Sequence, residues 1–195
     1  SGFFVPKGSG KPFTIAMPPP NITGSLHLGH ALNVTIQDIL IRYHRMKGYR
    51  TLWIPGLDHA GIATQNMVEK ELAKSKKTRH DVGRAELLKL LKNWEKKYSK
   101  RIINQFKRLG ASADWSRCRY TLDEGYSRAV KKAFILYKRK GYVKRGLRIV
   151  NFCPRCKTAI SDIEVEHLEE KGKLYYLKYR LLKRKQDKRF EYLTI

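Results

Sequence analysis

The chain has 195 residues, of which 42% are hydrophobic and 11% aromatic, so it can bury a core and is not wholly disordered. No apolar run approaches the roughly 18 uncharged residues that a membrane span needs, which excludes a transmembrane helix. Residues 1–11 show no basic segment followed by an apolar one, so no secretory signal is predicted. Three cysteines, two of them three positions apart, make a poor disulfide framework and indicate a reducing, cytoplasmic location.

The net charge of +25 is concentrated in the middle of the chain. Residues 46–160 carry 29 basic and 9 acidic side chains, whereas residues 1–45 carry 4 and 1 and residues 161–195 carry 9 and 7. A cationic surface of this kind favours a polyanionic partner, with RNA or DNA first. A lysine-rich, solvated surface without such a partner is the alternative.

A strand, a helix and a second strand are predicted at the start of the chain. The apolar run Phe13–Met17 ends at three prolines and is typical of a buried strand, and a second apolar run, Thr51–Ile54, is broken by Pro55. Between them, apolar residues recur with a helical period that stops at Gly48: Leu28, Leu32, Ile36, Ile39, Leu40 and Tyr43. This order predicts a βαβ unit with parallel strands, and therefore an α/β, doubly wound sheet.

Two basic helices are predicted next. The first ends at Gly110, and one face of it is apolar: Leu87, Leu91, Trp94, Tyr98, Ile102, Phe106 and Leu109. The second begins after the N-cap Asp123 and ends at Gly141, and its apolar face comprises Tyr126, Val130, Phe134 and Tyr137.

Strand-like patterns follow at residues 142–153, 174–182 and 190–195, and residues 183–189 form a charged, hairpin-like loop between the last two. Because chains seldom stop in the middle of a strand, we expect the sequence to be cut inside a second domain.

The segment from Pro19 to His30 lies where the first strand passes into the first helix. The carboxyl end of a parallel strand and the N-terminus of a helix together favour an anion. His27 and His30 lie on the same side of the helix, and Gly29 lets a flat ring or a phosphate approach the backbone. We therefore predict a phosphate site with two imidazole donors. Two alternatives stay open: zinc ligation together with Asp58 or His59, and polar residues that merely satisfy a helix end.

Asp58 follows the second strand. Because neighbouring parallel strands end at the same edge of a sheet, we expect Asp58 to face the crevice of His27 and His30 and to bind a cation such as a substrate ammonium. The alternative is an N-cap for a helix that begins at Ala60.

These motifs together resemble a known family. Residues 18–30 (PPPNITGSLHLGH) resemble the HIGH signature region of class I aminoacyl-tRNA synthetases, and residues 56–65 (GLDHAGIATQ) resemble the form found in the valyl-tRNA synthetases. The isoleucine and leucine enzymes carry different residues after the equivalent aspartate. Residues 113–117 (ADWSR), 120–123 (YTLD) and 151–156 (NFCPRC) also match that pattern, so that the resemblance covers residues 12–167.

The resemblance implies a domain organisation and a reaction. Residues 1–167 would be the N-terminal half of a Rossmann-like catalytic domain, including a Cys-x-x-Cys knuckle, and residues 168–195 the start of a β-rich editing insertion. The parent enzyme would be a monomeric ligase that makes valyl-adenylate from valine and ATP, with Mg²⁺, and then esterifies tRNA(Val).

The resemblance also implies site residues. His27 and His30 would be catalytic residues that stabilise the ATP phosphates, and adenine would pack on Gly29. A further set would bind the amino acid: Pro19 and Asn21 in the pocket wall and Asp58 on the valine ammonium.

Several parts of the family pattern are absent from this sequence: the second signature loop of the Lys-Met-Ser-Lys-Ser type, the second half of the sheet, the editing pocket and the anticodon-binding domain. We therefore expect little or no activity from the chain alone, and an exposed sheet edge through which it could associate. Two other functions stay open. One is a basic RNA-binding fragment without catalysis, and the other is a small nucleotidyltransferase that binds phosphate through the same HxGH motif.

Cys153 and Cys156 have the spacing of half a zinc site, whereas a structural zinc needs four ligands. Cys118 and His167 are the only conceivable partners of the usual kind nearby, and no motif joins them to the pair. Zn²⁺ is therefore predicted, if at all, at an incomplete site.

Overall fold

The βαβ unit predicted from the sequence is present. In the computed structural model, which describes residues 2–180 and 192–194, strands β1 (Pro12–Ala16) and β2 (Arg50–Ile54) lie parallel, with Phe13 opposite Thr51. Helix α1 (Leu28–Met46) connects them. The α/β fold class with parallel strands is thereby confirmed.

Strand β2 continues through Pro55 into β3 (Gly56–Leu57), and this central segment has a neighbour on each side. The N–H of Met17 donates to the carbonyl of Ile54 at 2.9 Å, whereas the N–H of Asp114 donates to the carbonyl of Trp53 at 2.9 Å. Consecutive carbonyls of a strand point in opposite directions, so the two donors lie on opposite sides. Strand β4 (Arg119–Tyr120) continues the second side, parallel to β3.

Three further helices follow: α2 (Gly61–Lys74), α3 (Arg79–Leu109), which has a kink at Gly83, and α4 (Glu124–Arg139). The predicted ends are confirmed. Gly110 terminates α3 with a φ of 88°, a left-handed conformation that residues with a side chain rarely adopt. Asp123 caps α4 by accepting a hydrogen bond from the N–H of Tyr126 at 2.7 Å.

The core lies between the sheet and helices α1 and α3. Trp53, Ile41, Ile102 and Phe106 contribute its largest side chains, and Met17, Ile22 and Val34 pack with them. This packing holds the carboxyl ends of β1 and β2 against one face of α3. No helix among the described residues is long and apolar enough to cross a membrane.

The apolar faces of α1 and α4 are largely exposed. Val34 and Ile41 are the buried residues of α1, whereas Leu28 is 88% exposed and Leu32 65%. Helix α4 buries no residue, and Tyr126, Val130, Phe134 and Tyr137 all face solvent. The helical period therefore located both helices, but the described part of the chain does not cover the faces that the period defines.

The chain divides into two compact units, Ser1–Gly146 and Leu147–Ile195. In the second unit, β5 (Phe152–Cys153) pairs antiparallel with β6 (Thr158–Ala159), and β7 (Lys178–Arg180) pairs antiparallel with β8 (Tyr192–Thr194). The compact units divide after Gly146, whereas the functional boundary is predicted after residue 167. The functional boundary therefore stays a prediction.

The strand predicted over residues 142–153 is wrong for most of its length. Residues 142–151 form no regular element, and the side chains of Leu147 and Ile149 are almost fully exposed. An apolar alternation makes a strand only where a neighbouring strand accepts its hydrogen bonds, and no described strand lies beside these residues. The prediction for residues 174–182 is confirmed at 178–180 and that for 190–195 at 192–194, while residues 181–191, including the predicted loop 183–189, lie outside the described residues.

Candidate nucleotide and amino-acid site

A cavity of about 550 Å³ opens at the carboxyl end of β1, between the proline loop and the N-terminus of α1. Five of the six residues predicted for the ATP and amino-acid sites line it: Pro19, Asn21, His27, Gly29 and His30. Asn33, Val34 and Phe106, which the sequence analysis did not assign to the site, also line this cavity.

His27 and His30 cap helix α1 reciprocally. Nδ1 of His27 accepts a hydrogen bond from the N–H of Gly29 at 3.1 Å, and Nδ1 of His30 accepts one from the N–H of His27 at 3.3 Å. A neutral imidazole carries its proton on one nitrogen, so both rings are held as Nε2–H donors. The helix-end alternative is therefore observed, and it leaves a donor on each ring for a phosphate.

Gly29 is required for this arrangement. A Cβ atom at Gly29 would lie 2.9 Å from Cε1 and 3.1 Å from Nδ1 of His27. The space over Gly29 is thus occupied by the neighbouring imidazole. Packing of adenine on Gly29 stays a prediction.

The electrostatics at His30 favour its neutral ring. Burial, followed by the nearby His27, lowers the pKa of His30 below its ordinary value of 6.5. The two ring centroids are 4.0 Å apart. A neutral His30 keeps the Nδ1 lone pair that the cap needs.

Three side chains of α3 form hydrogen bonds with the loop that precedes α1. The indole N–H of Trp94 donates to the buried carbonyl of Ile22 at 2.8 Å, and Oε1 of Gln105 accepts from the N–H of Leu26 at 3.1 Å. Arg101 adds a 3.3 Å hydrogen bond to the hydroxyl of Ser25. Sequence analysis assigned none of these three side chains to the site, because no local pattern links residues so distant along the chain.

The backbone of Asp58 forms two hydrogen bonds with this loop. Its N–H donates to the carbonyl of Pro20 at 2.9 Å, and its carbonyl accepts from the N–H of Ile22 at 3.1 Å. Its side chain, however, lines a second cavity of about 450 Å³ together with His59, Thr121 and Val130. The two loops therefore meet as predicted, but the Asp58 carboxylate does not line the cavity of His27 and His30.

The carboxylate of Asp58 accepts from the hydroxyl of Thr121 at 3.0 Å and from the N–H of Ala60 at 3.1 Å. Helix α2 begins at Gly61 with Ala60 as its N-cap, in a left-handed conformation without a side-chain hydrogen bond. Asp58 therefore closes the turn before α2 and does not cap it. Burial, with smaller contributions from Glu95 and Asp58, raises the pKa of the adjacent Tyr120 to about 12.

The described residues contain no group of three or more His, Cys, Asp or Glu side chains that could hold a metal ion. Zinc ligation by His27 and His30 with Asp58 or His59 thus has no structural support. The N–H of Cys156 donates to Sγ of Cys153 at 3.4 Å, and hydrogen bonds from Cys156 lower the pKa of the Cys153 thiol. This hairpin supplies only half of a zinc site.

Comparison with known proteins agrees with these features. The sequence model of the class I tRNA synthetases (I, L, M and V) matches residues 4–186. A valine–tRNA ligase of Thermotoga maritima is 60% identical over 179 residues, which are 91% of this chain and 21% of that protein. The valine–tRNA ligase of Carboxydothermus hydrogenoformans is 56% identical over 93% of this chain and 21% of its own length. The chain therefore spans about a fifth of these relatives.

A solved structure is also similar. The agnB2 LeuRS of Agrobacterium radiobacter K84, in a ternary complex with tRNA and LeuAMS, superposes with a TM-score of 0.62 at 25% identity. The match covers 80% of this chain and 18% of that one.

Proposed function

Because the chain belongs to the class I tRNA synthetases of the I, L, M and V group, we propose that it contributes the nucleotide and amino-acid sites of a valine–tRNA ligase. Valine is proposed as the amino acid because the relatives above are valine–tRNA ligases. The observation that carries the proposal is the reciprocal histidine cap, which holds two Nε2–H donors at the N-terminus of α1.

In this proposal His27 and His30 donate to the ATP phosphates, at the positive end of the α1 dipole. A valine carboxylate oxygen attacks the α-phosphorus, the bond between the α-phosphorus and the bridging oxygen breaks, and pyrophosphate leaves with that oxygen. The attacking carboxylate is already ionised, so no general base is needed. The protein orients the substrates and stabilises the charge that develops on the phosphates.

Mg²⁺ would neutralise part of the phosphate charge when it is bound. The described lining of the histidine cavity contains no carboxylate, which is the side chain that Mg²⁺ prefers. The cavity therefore does not fit a protein-held Mg²⁺, and any Mg²⁺ would enter with the nucleotide.

The amino acid is proposed to contact Pro19 and Asn21, with its ammonium on Asp58. The backbone hydrogen bonds between the two loops support this arrangement, because they hold Asp58 beside the proline loop. Residues 1–167 are proposed to be part of the catalytic domain, and residues 168–195 the start of the editing insertion.

The proposed macromolecular partner is tRNA(Val), in the cytoplasm. Lys92, Lys96 and Lys100 form an exposed stripe on α3 that could contact its phosphates. Replacing all three by glutamine is expected to weaken tRNA binding and to lower the salt dependence by roughly one counterion per lost contact. If the dependence of tRNA affinity on salt concentration were the same in this variant, the RNA would contact another surface. A monomeric parent and association through a sheet edge stay predictions.

Binding of ATP and of valine to the chain, measured by calorimetry, together with valine-dependent ATP–pyrophosphate exchange, tests the proposed function. We expect ATP binding that is lost in a folded His30→Ala variant, which has no side-chain donor, and weak exchange that depends on valine. Exchange without valine would indicate a nucleotidyltransferase. Salt-dependent tRNA binding without ATP or valine binding would indicate the basic RNA-binding alternative.

A further inference from the structure

Asp58, His59 and Thr121 form a hydrogen-bonded group, the Asp58 cluster, with the hydroxyl of Thr121 at its centre. This hydroxyl donates to Oδ1 of Asp58 at 3.0 Å, accepts from the backbone N–H of His59 at 2.9 Å, and lies 2.5 Å from Nδ1 of His59. The backbone of Thr121 is itself held by the sheet, because its N–H donates to the carbonyl of Leu57 at 3.1 Å.

A count of protons assigns the tautomer of His59. A hydroxyl has one proton to donate and two lone pairs to accept with, and an ionised carboxylate only accepts. The Thr121 proton is therefore directed to Asp58, and one lone pair accepts the N–H of His59. The contact with the ring then needs a proton on Nδ1, which leaves the lone pair on Nε2. His59 is thus the opposite tautomer to His27 and His30.

The cavity beside this cluster has the two parts that an aliphatic amine requires. The side chains of Asp58 and His59 are each 35% exposed, and both line it. Leu122, Tyr126 and Val130 contribute apolar surface to the same lining, and Ser127 and the exposed Lys131 complete it. An acceptor cluster beside an apolar wall suits a primary ammonium on a branched carbon chain.

We propose that Thr121 is a positioning residue whose hydroxyl orients the Asp58 carboxylate and fixes His59 as the Nδ1–H tautomer, so that Asp58 and Nε2 of His59 form an acceptor pair for a primary ammonium group. This inference rests on the proposed function, in which Asp58 binds the amine of the amino acid. It adds the acceptor His59 and assigns a role to Thr121.

Ring ¹⁵N chemical shifts of the 195-residue chain test the tautomer directly. His59 of the unsubstituted chain should show Nδ1–H, and Thr121→Ser, which keeps the hydroxyl, should preserve it. Thr121→Val has nearly the same shape without the hydroxyl and should weaken the preference, because Nδ1 then has Oδ1 of Asp58 at 3.4 Å in place of the hydroxyl at 2.5 Å. An Nε2–H tautomer in the unsubstituted chain overturns the inference, and that measurement needs no variant to fold.

Isobutylammonium, which has the amine and the branched chain of valine without the carboxylate, tests the acceptor pair. We expect it to shift the His59 resonances, with an affinity about tenfold weaker in Thr121→Val and restored in Thr121→Ser. Equal affinity in Thr121→Val and the unsubstituted chain, or no binding to either, overturns the inference. Binding of isobutylammonium with no binding of valine would refute the proposed function and support the acceptor pair.

Discussion

The imidazole of His30 accepts a hydrogen bond from the backbone N–H of His27, while the imidazole of His27 accepts one from the N–H of Gly29. The two side chains therefore satisfy donors that the first turn of a helix would otherwise leave unpaired. They do so with Nδ1, which directs the ring protons to Nε2. The same arrangement thus caps the N-terminus of α1 and provides donors for an anion.

Replacing Gly29 with alanine should displace the His27 ring, because the new Cβ would lie 2.9 Å from Cε1. We expect weaker ATP binding, and a loss in the free energy of unfolding that is smaller than the about 1 kcal/mol of a lost cap, because alanine is favoured over glycine within a helix. Urea denaturation and calorimetry measure the two effects. Gly146→Ala is the control, since a Cβ there meets no atom within 4 Å and Gly146 does not line the cavity. Equal behaviour of both variants would contradict this role of Gly29.

Two substitutions of His30 separate its structural role from its chemical role. Glutamine at this position can still accept from the N–H of His27, as in an ordinary capping box, so His30→Gln should retain stability. His30→Ala should lose about 1 kcal/mol. The glutamine NH2 can donate to a phosphate in place of Nε2–H, so ATP affinity should fall in His30→Ala and fall less in His30→Gln. Equal ATP affinity in His30→Ala and in the unsubstituted chain would assign His30 to capping alone.

The free energy of unfolding should fall as the pH drops below the ordinary histidine pKa. The pKa of His30 is lower in the folded chain than its ordinary value of 6.5, so below that pH the unfolded chain binds more protons. The stabilising contribution of a neutral His30 is complete above 6.5 and is lost as the pH falls through the folded pKa. Denaturation between about pH 7 and pH 5 should therefore show a shallower slope for His30→Gln than for the unsubstituted chain. Identical slopes would show that His30 does not contribute.

Replacing Trp94 with phenylalanine should loosen the loop before α1. It removes the indole N–H and leaves the buried carbonyl of Ile22 without its 2.8 Å donor, at a cost of about 1–3 kcal/mol. Faster amide hydrogen exchange in residues 21–26 would report the local effect. Trp115→Phe is the control, because Trp115 packs on Phe106 in the core. A uniform change along the chain in both variants would argue against a specific support by Trp94.

Local sequence rules predicted the parts of the fold that depend on neighbours along the chain. The helical periods located α1, α3 and α4, Gly110 and Asp123 marked their ends, and the prolines ended β1. The location of His27, Gly29 and His30 at the start of α1 could likewise be predicted, since they lie within one turn of helix. Pairing of β1 with β2 followed because the intervening helix has the length of a parallel crossover.

Tertiary structure alone decided which distant residues meet. Thr121 reaches Asp58 across 63 positions and Gln105 reaches Leu26 across 79, and no periodicity or cap relates such pairs. It also directed the Asp58 carboxylate to a different cavity from the histidines, and among the described residues it left 142–151 outside any strand pair. Caps and periods are set by a few consecutive dihedral angles, whereas these contacts depend on how whole elements pack. The sequence alone therefore determined the helices, the first strand pair and the histidine cap, and packing determined the cavities and the neighbours of Asp58.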